Sequence, residues 1–319
     1  MILQGLKGTE PEIKVYNSPT NFCEFSKEPY VLLKKQSFII KKNLLGRKLY
    51  NEEIIKELSD CDGVIAGTEI YTKEVIKNLT KLKVISRLGV GTDNIDLDYA
   101  YTKGIKIFTT KTRPSEAVAE LVLALILNFL RNVNISNSDL KNGIWKKRSG
   151  PLLSKKTVGI IGFGHIGKHL ALILKGFNCR VLAYDKIEDK LFNKENDILF
   201  ADINELLNQS DIISLHLNLN EKTHHFIDHQ KISLMKSNCL LVNTSRGEII
   251  DELALHNHLV NGHLMGACLD VFEKEPYEGR LLKLDNVLLT PHIGSYANET
   301  RIKMELEATN NLIKGLASE

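Results

Sequence analysis

The chain has 319 residues, 43% hydrophobic and 25% charged, with a formal net charge of +3. That length is more than one ordinary core needs and suits two domains, and the composition is that of a soluble globular protein. A net charge this small gives no case for nucleic acid or an anionic membrane as partner, and the lysine pairs Lys34-Lys35 and Lys41-Lys42 read as solvated faces.

The N-terminal MILQGLKGTE has no charged region ahead of an apolar stretch, so no secretory leader is expected. Strands are then predicted at 13–16 and 38–40, and a helix at 51–58 starting near Tyr50 or Asn51. Strands at 64–66 and 84–86 flank a helix near 73–79, and a short helix at 97–103 precedes a strand at 105–108. Such alternation marks a small α/β unit. Residues 116–131 are the most apolar segment, but the unbroken apolar run covers only 121–127, far short of the ~20 residues of a membrane span. A helix apolar on most faces is expected to be buried, between domains or against a partner subunit. A polar stretch at 132–150 leads to a larger α/β unit with strands at 158–161, 180–184, 212–215, 239–243, 265–269 and 287–289. Helices lie between them, one at 165–175 closed by Gly176 as its C-cap. The spacing implies a parallel, doubly wound sheet.

The strand at 158–161 runs into Gly162-x-Gly164-x-x-Gly167 and then a helix, and Asp185 ends the next apolar run. The first glycine suits a tight turn, the second a close approach of pyrophosphate, the third close helix packing. The helix start offers N–H groups to the phosphates. Asp185 is placed to accept the ribose hydroxyls, which favours NAD over its 2′-phosphorylated form, and Lys186 weakens this only slightly. In doubly wound sheets ligands bind beyond the carboxyl ends of strands. This singles out 162–167, Asp185, His216, Thr244-Ser245-Arg246, Asp270 and Pro291-His292.

Arg246, Glu275 and His292 are a fixed cation, a carboxylate and an imidazole. Converging on a nicotinamide, they suit hydride transfer at a carbonyl. His292 supplies the proton, Glu275 favours the imidazolium, and Arg246 holds a carboxylate or polarises the carbonyl. Singly, each has a plainer reading: a surface ion-pair partner, a turn acid before Pro276, a loop residue.

The chain resembles the D-isomer-specific 2-hydroxyacid dehydrogenases, and among them the shorter phosphoglycerate-dehydrogenase-like proteins. The resemblance spans about Asp62 to Ser295 and rests on Arg87-Leu-Gly-Val-Gly-Thr-Asp-Asn-Ile-Asp96, Glu116-Ala-Val-Ala-Glu120, Gly162–Gly167, Thr244-Ser-Arg-Gly247, Asp270-Val-Phe-Glu-Lys-Glu-Pro276 and Pro291-His-Ile-Gly294. It implies two Rossmann-like domains with doubly wound parallel sheets and a cleft between them. Residues 1–108 plus 296–319 would form the substrate domain and 109–295 the NAD-binding domain, the helix after Ser295 returning to the first. It also implies that Arg246, Glu275 and His292 are catalytic. The cofactor would lie on Gly162, Gly164, His165, Ile166, Gly167, Asp185, His216, Leu217, Thr223, Thr244, Ser245, Asp270 and Gly294. Gly89, Val90 and Gly91, with Thr68, would hold the substrate carboxylate. The expected activity is that of an NAD-dependent enzyme interconverting a small anionic 2-oxo acid and its D-2-hydroxy acid. It is expected to work as a cytoplasmic homodimer. With the sequence ending at Glu319, the regulatory domain of longer relatives is not expected.

Some positions depart from the family pattern. Glu69 stands where phosphoglycerate enzymes usually place a basic residue nearby, and is a poor neighbour for a phosphate. Lys111 and Arg113 either draw an anionic substrate or are simply solvated. Asn218 replaces a proline in the turn after His216, which is expected to loosen that loop. Two rival readings are a non-enzymatic NAD-sensing module and an enzyme oxidising formate or phosphite; Glu275 argues against formate, whose enzymes carry an amide there. His224, His225 and His229 hint at a metal site but lack a completing ligand, so none is expected. His256, His258 and His263 read as solvated. Cys23, Cys61, Cys179, Cys239 and Cys268 are odd in number, without a CxxC pair, and fit a reducing compartment.

Overall fold

The computed structural model describes residues 12–317, so the N-terminal decapeptide and the expectation of no leader in it lie outside the described residues. The chain forms two compact units, one running to Arg113 and resuming at Ala297, the other spanning Pro114–Tyr296.

The first unit runs β1 Lys14–Asn17, α1 Glu28–Lys35, β2 Ile39–Lys42, α2 Asn51–Leu58, β3 Gly63–Ala66, α3 Lys73–Asn78, β4 Val84–Arg87, α4 Leu97–Thr102 and β5 Lys106–Thr109. Its five strands make one parallel sheet in the order β2-β1-β3-β4-β5. Every residue of β3 and β4 is buried, as expected of central parallel strands covered on both faces. Thr72 and Asp96 accept the N–H groups of Val75 and Tyr99, which satisfies donors that the first turns of α3 and α4 leave open. Helix α1 is not evident in the sequence, because only Pro29 and Leu33 of its eight residues are buried. Lys34 and Lys35 form its last turn, where cations suit the helix dipole. Lys41 is not merely solvated: its ammonium meets Asp60 at 2.5 Å.

The second unit runs α5 Ser115–Arg131, α6 Val133–Lys141, β6 Thr157–Ile161, α7 His165–Lys175, β7 Arg180–Tyr184, α8 Lys190–Asn196, β8 Leu199–Phe200, α9 Ile203–Gln209, β9 Ile212–Leu215, α10 His229–Leu234, β10 Leu240–Asn243, α11 Glu252–Val260, β11 Gly266–Leu269 and β12 Val287–Leu289. Its sheet is parallel, in the order β12-β11-β10-β9-β6-β7-β8. Aspartates at 189, 202, 228 and 251 cap α8, α9, α10 and α11 through their side chains. Helix α5 buries Ala117, Val118, Ala119, Val122, Leu125, Ile126 and Leu130 within this unit, against α7 and β11. Leu121, Leu123, Leu127 and Phe129 of the same helix are only partly buried. The polar stretch after it contains α6, joined at a 61° bend through left-handed Asn132 (φ 54°). None of the α6 residues is buried, so no apolar period announces it. Gly176 is the C-cap of α7 as expected, in a right-handed conformation (φ −63°), and the left-handed residue falls two positions on, at Asn178 (φ 54°). Among the described residues no single helix is long and apolar enough to cross a membrane.

The last helix, α12 Asn298–Ala317, belongs to the first unit. It packs on β3, β4, β5 and α1. A methyl group on Gly63 would come within 2.7 Å of the Leu312 side chain, so α12 packs closely on β3 at this point. Arg301 and Glu305 form a buried pair at 2.8 Å on α12, and Glu305 also accepts the Cys23 N–H at 2.9 Å.

Candidate active site

In the second unit the strand order reverses between β6 and β9, the position where doubly wound sheets hold ligands. Gly162 follows β6 with φ +94°, and any side chain there would strike the carbonyl of His216, which follows β9. A side chain on Gly167 would strike the Gly162 carbonyl, whereas Gly164 faces open space. Two glycines thus shape the turn and the third leaves room for a ligand. The start of α7 carries no side-chain cap, so the N–H groups of His165, Ile166 and Gly167 suit an anion. Asp185 follows β7, with Oδ2 accepting the Phe163 N–H at 2.6 Å and Oδ1 the Lys186 N–H at 2.6 Å. Two backbone donors therefore hold the carboxylate beside the glycine turn.

The His216 ring meets the Ser214 hydroxyl at 2.9 Å. Burial pushes its pKa down to about 3, so it stays neutral. Leu217 packs against the core. Thr223 is buried; its hydroxyl donates to the Asn218 carbonyl at 2.6 Å and accepts the Asn220 N–H at 2.8 Å. That bridge ties the turn the absent proline was expected to loosen.

Beyond β10, the Asn243 side chain organises the loop. Its Oδ1 accepts the Ser245 N–H and hydroxyl at 3.0 and 2.7 Å, and its Nδ2 donates to the Arg246 carbonyl at 2.8 Å. Asn243 was not singled out in the sequence, although a strand-terminal Asn two residues before a Ser signals such a turn. The Arg246 guanidinium donates to the Ser245 carbonyl at 2.7 Å. The Thr244 hydroxyl is buried with no hydrogen-bond partner from the protein, as is Nδ1 of His216. Buried polar atoms of this kind require a partner, and the two residues follow β10 and β9, at the carboxyl ends of neighbouring strands.

The imidazole and the acid come together. His292 Nδ1 lies 2.9 Å and 3.1 Å from the two carboxylate oxygens of Glu275. His292 is left-handed (φ 56°), a conformation costly for a non-glycine residue. Asp270 holds it there: its fully buried carboxylate accepts the Thr290 hydroxyl at 2.6 Å and the N–H groups of Ile293 and Gly294, each at 2.8 Å. Burial raises the Asp270 pKa against the pull of those donors. A side chain on Gly247 would run into the backbone of Phe272 and Glu273. The loop that follows Arg246 therefore lies directly on the loop that carries Glu275.

In the first unit, Gly89 and Val90 follow β4, and Thr68 follows β3. Gly89 has φ +151°, and a methyl group there would be 2.5 Å from the Arg87 guanidinium. Val90 is exposed and Gly91 partly so, which leaves this turn open at the end of the sheet. Glu69 is only 2% exposed and accepts the Gly67 N–H at 2.8 Å. Asn94 donates to the Glu69 carbonyl at 2.6 Å, which ties the two turns together. Lys111 and Thr112 donate their N–H groups to Glu307 at 2.6 and 2.9 Å.

The remaining histidines are not independent solvated groups. His258 Nε2 lies 2.9 Å from His229 Nδ1, and His263 donates to the Ile232 carbonyl at 3.1 Å. Among the described residues no set of three metal-ligating side chains is arranged to hold an ion.

Residues 123–294 match the family model described as D-isomer specific 2-hydroxyacid dehydrogenase, NAD binding domain. The chain is 38% identical over 269 residues to a glyoxylate reductase of Korarchaeum cryptofilum, covering 82% of this chain and 81% of that protein. It is 41% identical over 259 residues to a D-3-phosphoglycerate dehydrogenase of Methanocaldococcus jannaschii, covering 79% of this chain and 49% of that one. A solved D-lactate dehydrogenase of Aquifex aeolicus, complexed with NAD and lactic acid, superposes with a TM-score of 0.80 at 28% identity over 95% of each chain.

Proposed function

The chain belongs to the D-isomer specific 2-hydroxyacid dehydrogenase family, and from that premise we propose that this NAD-dependent oxidoreductase reduces a small, unphosphorylated 2-oxo acid to its D-2-hydroxy acid. The observation that carries the reading is the pairing of His292 Nδ1 with both oxygens of Glu275. It leaves Nε2 as the ring nitrogen available to a substrate, and it fixes the orientation of the ring.

NADH, when bound, supplies the hydride. Gly162, Gly164, Ile166 and Gly167 would hold its pyrophosphate and Asp185 its adenosine ribose, and Thr244 and His216 would offer it their buried polar atoms. His292 Nε2 gives a proton to the carbonyl oxygen as the new C–H bond forms, and takes it back in the reverse direction. Arg246 polarises that carbonyl. Within the first unit, the N–H groups of Val90 and Gly91, with Thr68, are the groups suited to hold a carboxylate.

The preference for an unphosphorylated acid rests on Glu69, a buried carboxylate in the turn beside Thr68. A substrate phosphate there would face a like charge with no basic residue within 66–69 to offset it. A homodimer completes the reading: Val133, Leu140, Ile144, Trp145 and Leu152 form exposed apolar surface on the second unit. Five cysteines, none in a disulfide, fit the cytoplasm.

The test is a panel of glyoxylate, hydroxypyruvate, pyruvate, 2-oxoglutarate and phosphohydroxypyruvate with NADH and purified protein. One of the unphosphorylated acids is expected to consume NADH with a kcat/KM at least about tenfold above that of phosphohydroxypyruvate, the repulsion being worth more than about 1.4 kcal/mol. A phosphohydroxypyruvate preference would overturn the substrate assignment. Tight NADH binding without any turnover would favour a sensor.

A further inference from the structure

Glu275 stands on an irregular loop, Phe272–Pro276, between β11 and β12, with no regular hydrogen-bond ladder to hold it. Yet its carboxylate must meet His292 to within a few tenths of an ångström. On the outer side of this loop is a second set of contacts that hydride and proton transfer do not use. Glu273 lies two residues before Glu275. Its Oε1 is 2.9 Å from His225 Nε2 and accepts the Glu252 N–H at 3.3 Å. Beyond Pro276, the Tyr277 hydroxyl donates to Glu252 Oε1 at 2.6 Å and accepts the Leu281 N–H at 3.2 Å. The Tyr277 ring stacks on Phe272 with centroids 4.2 Å apart and planes 20° from parallel.

Both flanks of the acid loop are thus fastened to one residue, Glu252, at the first turn of α11. The upstream flank takes its N–H and the downstream flank its carboxylate. His225 comes from a different segment, held left-handed (φ 49°) with its own N–H on the Glu248 carbonyl at 2.7 Å. The bare backbone of Gly247 closes the inner side against Phe272 and Glu273. Burial and the Glu252 hydrogen bond push the Tyr277 phenol up to about 12, so it remains a donor across the working pH range.

We propose that Glu252, Tyr277, Glu273 and His225 form a brace that positions Glu275, and through it His292, for proton transfer. They are positioning residues: none touches the reacting atoms, and all act through the placement of the Glu275 carboxylate. The inference rests on the assignment of His292 and Glu275 as the proton-transfer pair.

The test uses the full-length protein with Tyr277→Phe, Glu252→Ala and Glu252→Gln. Tyr277→Phe keeps the ring stack and removes only the hydroxyl, and Glu252→Gln keeps an oxygen that accepts from it. Tyr277→Phe and Glu252→Ala are each expected to lower kcat by about 10- to 100-fold, the scale of a misplacement near 1 Å. KM for the 2-oxo acid and the NADH dissociation constant should change less than about threefold, and Glu252→Gln should restore most of kcat. An activity-independent readout is the low-field proton resonance of His292 Nδ1–H, identified by its loss in His292→Ala. It should move or broaden in Tyr277→Phe and Glu252→Ala but not in Glu252→Gln. Unchanged kcat with an unchanged resonance would overturn the brace, as would a loss that follows NADH affinity. If the wild-type protein reduces no 2-oxo acid, the proposed function fails while the resonance still decides whether the brace holds the pair.

Discussion

Asp185 has both carboxylate oxygens on backbone N–H groups, from Phe163 in the glycine turn and Lys186 beside it. A carboxylate held in this way is fixed in place, and it keeps lone pairs that could accept further donors such as the ribose hydroxyls proposed for it. Asp185→Ala is therefore expected to weaken NAD by about 1.5–3 kcal/mol, the worth of charge-assisted hydrogen bonds, and to narrow the preference over NADP. Titration of the variant with both cofactors checks this; an unchanged preference would contradict the ribose role. At this scale the sequence is readable where chemistry dictates residue type, as at Gly162, Asp185, Glu275 and His292. It is much less so for Thr223, whose hydroxyl ties Asn218 and Asn220, because a threonine can satisfy such a turn or a ligand equally well.

Among the elements, those with a clear apolar pattern were readable: α2, α5, α7 and the buried strands of both sheets. Helices α1 and α6 were not, because two and no residues of theirs are buried, so neither shows an apolar stripe. The edge strand β8 has only two residues, too few for alternation to show. The β1–β2 edge of the first unit depends on charge as well as burial. Asp60 pairs with Lys14 at 2.9 Å and Lys41 at 2.5 Å. Its carboxyl is held well below the usual range, first by Lys41 and then by Lys14. A depressed folded pKa adds stability above the unfolded carboxylate pKa near 3.9, and this is lost as pH falls toward the folded value. The urea midpoint of Asp60→Asn should therefore lie below wild type at pH 6, and the gap should narrow by pH 3. A gap that widens in acid would refute the pairing as a source of stability, and solvent exposure keeps it modest at either pH.

For the whole molecule, two parallel sheets with orders β2-β1-β3-β4-β5 and β12-β11-β10-β9-β6-β7-β8 put the distinctive polar residues of each unit at its strands' carboxyl ends. This is why so much of the candidate site could be anticipated from residues that follow apolar runs. The support behind it could not. Glu252, Tyr277 and His225 lie on a helix start, a loop and a turn that local pattern does not bring together, and only tertiary packing shows that they meet around Phe272–Pro276. The central claim is that His292, held by Glu275, supplies the proton at the nicotinamide. Its most direct test is the single-turnover oxidation of bound NADH by the preferred 2-oxo acid in His292→Ala. The rate is expected to fall by about 10²–10⁴-fold, with NADH affinity within about twofold of wild type. A near-normal rate, or a collapse of NADH binding in that variant, would contradict the account.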